Sequence, residues 1–288
     1  MRAGFLGLGA MGYPMAANLR RAGLLAAVWN RGRDTAARFA DEHGVTVADD
    51  PAALARECDL LVTCVSADVD VLAVVEALLP GLRRDAVVVD CSTVASDTAR
   101  QAADKVAAAG GAFLDAPVSG GTEGAAAGTL SMMVGGDESA FAKARPALDA
   151  MGGRVVHMGP VGSGQATKAV NQVMAAGINQ AVGEALAFAE ALELPLERVI
   201  EVVGSGAAGN WFVNHRGPTM VRGEYTGFGF KLALHHKDLE ICRHMADNNG
   251  GSLPLADRTR ADYERLMAEG HGDEDISALY RLKRMLFD

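Results

Sequence analysis

Along roughly the first 160 residues, short apolar runs alternate with stretches whose apolar positions recur at helical spacing. Strands are expected at Arg2–Leu6, Leu25–Trp29, Val45–Val47, Leu60–Val65, Ala86–Asp90, Ala112–Leu114, Ser131–Val134 and Val155–His157. Short strands separated by helical stretches predict a parallel sheet with helices on both faces. The pattern changes after Gly159-Pro160-Val161-Gly162-Ser163-Gly164, where Gln165–Leu194 reads as one long helix without an interior proline. Further helices are expected at Pro195–Val203, Lys231–Asn248, Pro254–Glu269 and Ile276–Phe287, with Asp275 as N-cap of the last. The chain is therefore predicted to be α/β over residues 1–162 and all-α over residues 163–288, the two domains joined by a long interdomain helix. Small residues at Ala175, Ala176, Gly177, Ala181 and Gly183 allow close approach to that helix, either within the chain or from a second subunit.

The first strand leads directly into Gly7-Leu8-Gly9-Ala10-Met11-Gly12 and an amphipathic helix. In that context Gly7 permits a tight turn, Gly9 lacks the Cβ that would hold a pyrophosphate off the backbone, and Gly12 lets the helix pack on the strand. An anion there meets unpaired N–H groups and the positive end of the helix dipole. Residues 1–162 are thus expected to be a Rossmann-type dinucleotide domain. After the second strand, where NAD-specific domains place an acid for the ribose 2′-hydroxyl, stands Asn30-Arg31-Gly32-Arg33. With Asn30, Arg31 and Arg33 there and no carboxylate, NADP(H) is the expected cofactor, NAD(H) remaining possible. The same arginines also suit a solvated helix entry.

Charge narrows the partners. The formal net charge of −9 argues against nucleic acid, which is bound through clustered Lys and Arg. No run is long and apolar enough to span a bilayer, and the first residues have no pattern of a secretory signal, so a cytoplasmic protein is expected. Cys58, Cys64, Cys91 and Cys242 show neither CxxC spacing nor metal-ligand grouping, which speaks against disulfides and zinc. His235, His236 and His244 do not form a closed ligand set with Asp238, and no metal is expected.

Three further segments add chemistry: Asp115-Ala-Pro-Val-Ser-Gly-Gly121, Gly162-Ser-Gly-Gln-Ala-Thr-Lys168-Ala-Val-Asn171 and Lys237-Asp238-Leu239. With the opening loop, and in this order over essentially the whole chain, they resemble the β-hydroxyacid dehydrogenase family. That family includes 3-hydroxyisobutyrate dehydrogenases, tartronate semialdehyde reductases and glyoxylate/succinic semialdehyde reductases. The late Gly270-His-Gly-Asp-Glu-Asp-Ile-Ser-Ala278 segment looks most like the tartronate semialdehyde reductases.

The resemblance implies an oxidoreductase that passes a hydride between NADP(H) and a small anionic 3-hydroxy acid or its semialdehyde. It makes Lys168 the catalytic acid–base. Asn171 and Gln172, at i+3 and i+4, share its helix face, so all three can point into one cleft between domains. Ser119, Gly120 and Gly121 would bind the substrate's carboxylate. Met11, Val65, Ser66, Thr93 and Lys237 would join the cofactor contacts. A homodimer or homotetramer is expected. Lys168-Ala-Val-Asn171-Gln172 departs from the Lys-x-x-His-Asn of 6-phosphogluconate dehydrogenases, which argues against a sugar-phosphate substrate. Two rivals are an imine reductase, commonly carrying Asp or Tyr in place of the lysine, and a catalytically silent dinucleotide module. Lys168 speaks against the first, and Lys168, Asn171 and the Ser119 loop together against the second.

Overall fold

The apolar runs at the middle of the first domain become strands sealed between helices. The computed structural model describes residues 1–287, and the chain forms two compact units, Met1–Lys168 and everything from Ala169 onward. The first unit runs β1 (Ala3–Leu6), α1 (Gly12–Arg21), β2 (Leu25–Trp29), α2 (Arg33–His43), β3 (Thr46–Val47), α3 (Pro51–Glu57), β4 (Leu60–Thr63), α4 (Asp68–Leu78), β5 (Val87–Asp90), α5 (Ser96–Ala108), β6 (Ala112–Asp115), β7 (Val118–Ser119), α6 (Gly121–Ala127), β8 (Leu130–Gly136), α7 (Glu138–Met151) and β9 (Gly152–Gly159). It ends in the first turns of α8 (Ser163–Ala191).

The sheet has nine strands in the order β3-β2-β1-β4-β5-β6-β8-β7, with β9 on the other edge of β8. From β3 to β6 all neighbours are parallel, the strand order of a dinucleotide-binding Rossmann fold. Every residue of β1, β4 and β5 is buried, and successive residues feed two separate cores, as a period of two requires. Phe5, Val62 and Val89 join Met15, Leu19 and Leu148 on one face. Leu6, Leu61 and Val88 join Leu54, Val75 and Ala102 on the other.

The expectation of a uniformly parallel sheet fails at its far side. Strand β8 is antiparallel to β6 and β7, and β9 is parallel to β8. Strand β7 was not expected at all; it exists because Val118 and Ser119 pair with Met132 and Ser131. The unit boundary also falls after Lys168 rather than after residue 162. The first turns of α8 belong to the sheet domain because buried side chains tie them to it, as described below.

The second unit continues α8 and adds α9 (Leu196–Ser205), α10 (Trp211–His215), α11 (Gly217–Arg222), α12 (Leu232–Asn248), α13 (Pro254–Ala268), a 3-10 turn at Ile276–Leu279 and α14 (Tyr280–Arg284). The two short helices α10 and α11 were not expected, and the single helix predicted for Ile276–Phe287 is broken. Asp275 does cap it, accepting from Ser277 N at 3.0 Å, but the turn it starts is 3-10. Asn179 of α8 anchors this core through Tyr263 Oη (2.9 Å) and Ile276 O (2.7 Å). At Gly177 and Gly183 the close approach is intrachain: added Cβ atoms would meet Leu255 Cδ2 at 2.9 Å and Lys283 Cγ at 3.3 Å. Among the described residues no helix is long and apolar enough to cross a membrane.

Candidate active site

The dinucleotide loop leaves β1 through Gly7, whose φ of +95° favours glycine and whose absent Cβ would lie 2.2 Å from Cys64 O. At Gly12 a Cβ would lie 1.9 Å from Gly7 O, so α1 can start where it does only without one. Gly9 differs: among the described residues nothing lies within 4 Å of the place its Cβ would take, and Gly9 and Ala10 are exposed. Helix α1 has Met11 as its N-cap, with no side-chain cap bond and no acid in its first turn. An open glycine beside an uncapped helix start fits a pyrophosphate.

Asn30, just after β2, holds this loop. Its Oδ1 accepts from Leu8 N at 2.8 Å, and its Nδ2 donates to Gly32 O at 2.9 Å. Leu8 itself is buried, so its amide is spent on Asn30. The Arg31 side chain is 86% exposed and meets Asp70 at 3.2 Å. Arg33 is turned to Asp49 O, 3.3 Å away.

The ends of β4 and β5 are joined by a buried hydroxyl–carboxylate network. Ser92 Oγ accepts from Val65 N (2.9 Å) and donates to Asp90 Oδ1 (2.6 Å), which also accepts from Thr63 Oγ1 (2.7 Å). Among the described residues Asp90 Oδ2 has no hydrogen-bond partner. Burial pushes the Asp90 carboxyl up to about 6, against the hydrogen bonds of Ser92 and Thr63, which lower it. The network fixes the segments bearing Val65, Ser66 and Thr93; Ser66 is exposed and Thr93 half-buried.

A second network fixes the start of α8. Asp115, at the end of β6, accepts from Gly162 N and Gln165 N, both at 2.8 Å. Its carboxyl is raised by burial, a tendency opposed by these amides. Gln165 Nε2 donates to Ser92 O (2.8 Å) and Gln165 Oε1 accepts from Val94 N (3.2 Å). Ser96 Oγ donates to Gly162 O (3.0 Å). A Cβ at Gly164 would lie 2.4 Å from Met133 O, so glycine is what lets the helix come this close. Lys168, one turn further on, is 7% exposed.

Ser119 ends β7 opposite Ser131, and Gly120 and Gly121 follow with φ of +137° and +64°. Asn18 Nδ2 donates to Ala125 O (2.7 Å), tying α6 after this turn to α1 after the dinucleotide loop.

In the second unit Asn171, Gln172 and Lys237 form one chain of contacts through Asp238. Asn171 Nδ2 donates to Gln172 Oε1 (2.8 Å), and Gln172 Nε2 donates to Asp238 Oδ2 (2.7 Å). Lys237 Nζ lies 3.2 Å from Asp238 Oδ1. Gln172 is 3% exposed. His235 is buried between Tyr263 Oη (3.1 Å) and Gln172 O (3.2 Å). His236, Glu240 and Glu264 do come together, but Arg260 Nη1 sits 2.9 Å from Glu240 and 2.5 Å from Glu264. An arginine already balances these carboxylates. The 270–278 segment anchors the start of α12: Leu232 N donates to Glu274 O, and Phe230 N to Asp275 Oδ2, both at 2.8 Å.

Asp115, Gln165 and Asp238 stand within the motifs without an assigned role and Asp90 reads only as a strand end, yet all four belong to the buried networks. Their signal was a carboxylate or amide placed in an otherwise apolar or Gly-rich stretch.

Both halves of the chain match known families. Residues 2–159 match the family described as the NAD binding domain of 6-phosphogluconate dehydrogenase. Residues 162–283 match the family described as NAD-binding of NADP-dependent 3-hydroxyisobutyrate dehydrogenase. A probable 3-hydroxyisobutyrate dehydrogenase of Mycobacterium tuberculosis is 37% identical, with 99% of this chain and 98% of that one covered. An NAD-dependent L-serine dehydrogenase of Pseudomonas aeruginosa is 33% identical, with 96% of each covered. The solved structure of Mycobacterium tuberculosis 3-hydroxyisobutyrate dehydrogenase with L-serine superposes with a TM-score of 0.90, at 34% identity, covering 99% of this chain and 100% of that one.

Fold and dinucleotide loop together define an NAD(P)-dependent dehydrogenase. The chain belongs to the 3-hydroxyisobutyrate dehydrogenase group of the β-hydroxyacid dehydrogenase family.

Proposed function

We propose that this dehydrogenase interconverts a small 3-hydroxy acid and its semialdehyde, with NADP(H) as the preferred hydride carrier and Lys168 as the acid–base. One observation carries the reading: a lysine 7% exposed, one turn into a helix whose start is pinned by buried hydrogen bonds. Lysines are seldom buried without a task.

The bound nicotinamide supplies or accepts the hydride. Lys168 gives a proton to the carbonyl oxygen on reduction and takes it from the hydroxyl on oxidation. The Ser119 hydroxyl and the amides of Gly120 and Gly121 receive the substrate's carboxylate. Asn171 orients the substrate, and Gln172 acts by holding Asn171 through the bond of 2.8 Å. Gly9, Ala10, Met11 and Gly12 receive the pyrophosphate, while Asn30 shapes the loop around it. The L-serine in the mycobacterial relative is itself a small 3-hydroxy acid, which supports this substrate class.

The cofactor preference rests on Arg31. Its side chain is 86% exposed and its ion pair with Asp70 is a surface contact, weak enough to yield to a 2′-phosphate. No carboxylate among residues 30–33 claims the ribose hydroxyls. The test compares kcat/KM for NADPH and NADH, in parent and Arg31→Ala, over a panel of small 3-hydroxy acids and semialdehydes. NADPH is expected to be preferred, and Arg31→Ala to narrow the gap mainly through KM. A parent that prefers NADH, or a variant with unchanged preference, overturns the NADP assignment. A panel without a 3-hydroxy acid or semialdehyde substrate overturns the substrate class.

A further inference from the structure

One side chain joins the turn after β5 to the first turn of α8. Gln165 is 1% exposed, so its amide has to be satisfied within the protein. It is: Nε2 donates to Ser92 O at 2.8 Å, and Oε1 accepts from Val94 N at 3.2 Å. Those two backbone groups flank Thr93, one of the residues that the family resemblance gives to the cofactor. The backbone N–H of Gln165 is meanwhile fixed to Asp115 Oδ2 at 2.8 Å. Three residues on, one helical turn along the same helix, stands Lys168.

We infer that Gln165 is a positioning residue: it sets the turn bearing Thr93 at a fixed distance from the helix bearing Lys168, and so registers the hydride donor against the proton donor. The inference rests on the cofactor contact that the family resemblance implies for Thr93 and on the acid–base role proposed for Lys168. Reduction of a carbonyl needs both at once, a hydride at carbon and a proton within hydrogen-bond reach of the oxygen. Only a side chain with one donor and one acceptor at its tip can grip a carbonyl and an N–H two residues apart. A carboxylate would set an oxygen against Ser92 O, and a thioether of similar length would satisfy neither group.

The test uses the full enzyme with Gln165→Met, which keeps most of the volume and removes both hydrogen bonds, and Gln165→Glu, which keeps an acceptor for Val94 N. Readouts are kcat, NADPH Kd by cofactor fluorescence, Tm, and the pH profile of kcat. A misplacement on the order of 1 Å lowers kcat roughly ten- to a hundredfold. That loss is expected below Tm, with Kd changed by less than about threefold and the limb of the profile that reports Lys168 displaced. A full kcat in folded variants, or a loss that merely tracks the unfolded fraction, overturns the inference. If Gln165→Met does not fold, Gln165→Glu decides by the same criteria. Lys168→Ala measured alongside separates the two levels: activity retained there sinks the acid–base reading itself, whereas an inactive Lys168→Ala beside fully active Gln165 variants sinks only the positioning role.

Discussion

Two alanine substitutions in the dinucleotide loop should fail in opposite ways. At Gly9 an added Cβ meets nothing within 4 Å, and the residue is not among those with positive φ. Gly9→Ala should therefore fold with a stability within about 0.5 kcal/mol of the parent, the ordinary range for surface changes. The methyl group occupies the space over the backbone where the pyrophosphate is to sit, and pushing the phosphate away weakens charge-assisted N–H bonds. Loss of one such bond is worth about 1.5–3 kcal/mol, a rise in NADPH Kd of roughly ten- to a hundredfold. At Gly12 the Cβ would stand 1.9 Å from Gly7 O, a backbone atom that cannot swing aside. Helix α1 must shift off β1, and overpacking of this kind costs about 1–3 kcal/mol or more. The assay is a pair of curves for each variant, thermal melting without cofactor and fluorescence titration with NADPH. Were Gly9→Ala to bind NADPH within about threefold of the parent, the phosphates would not lie over Gly9, and the loop reading would be wrong.

Ser119→Ala should lower kcat/KM roughly ten- to a hundredfold for semialdehyde acids, one hydrogen bond to a charged group, while an aldehyde of similar size without the carboxylate loses little more; equal losses on both would move the carboxylate site elsewhere. Asp90 makes a prediction about stability and pH. Its folded carboxyl is raised by burial to about 6 from an ordinary 3.8, so between those values the native state holds a proton the unfolded state has released. Its contribution is therefore most favourable below that window, declines as pH rises through it, and is level above, a total of about 3 kcal/mol. Asp90→Asn should lack this decline, so that melting curves of variant and parent diverge in the variant's favour from pH 4 to pH 6; a pH-independent difference would contradict the buried-carboxyl account.

The sequence made some elements plain because their cause is local. The strands β1, β2, β4, β5 and β6 are short apolar runs with punctuation on either side, and the Gly7–Gly12 loop declares its geometry through missing side chains. What stayed hidden depends on partners far along the chain. Val118 and Ser119 sit in a Gly-rich stretch and are a strand only because β8 lies beside them. The direction of β8 is not written in its own residues. Helices α10 and α11 are short, and Gly217-Pro218 breaks the periodicity between them. In the candidate site, Lys168, Ser119 and the arginines after β2 were legible as candidates through motifs, the roles given to them being proposals. Asp115 and Gln165 were not, since their roles are hydrogen bonds to residues 50 and 73 positions away. Gln172 was expected to touch substrate, but its amide is taken up between Asn171 and Asp238.

The central claim is that Lys168 moves the proton while the nicotinamide moves the hydride. Its most direct measurement is the single-turnover rate of NADPH oxidation by a semialdehyde acid, followed through the absorbance of the reduced nicotinamide, in the parent, Lys168→Ala and Lys168→Arg. Loss of a general acid is expected to slow that step by about 10²–10⁴-fold with NADPH Kd essentially unchanged, and arginine should not restore it, since a guanidinium does not release its proton in this pH range. A Lys168→Ala rate within about threefold of the parent would contradict the account.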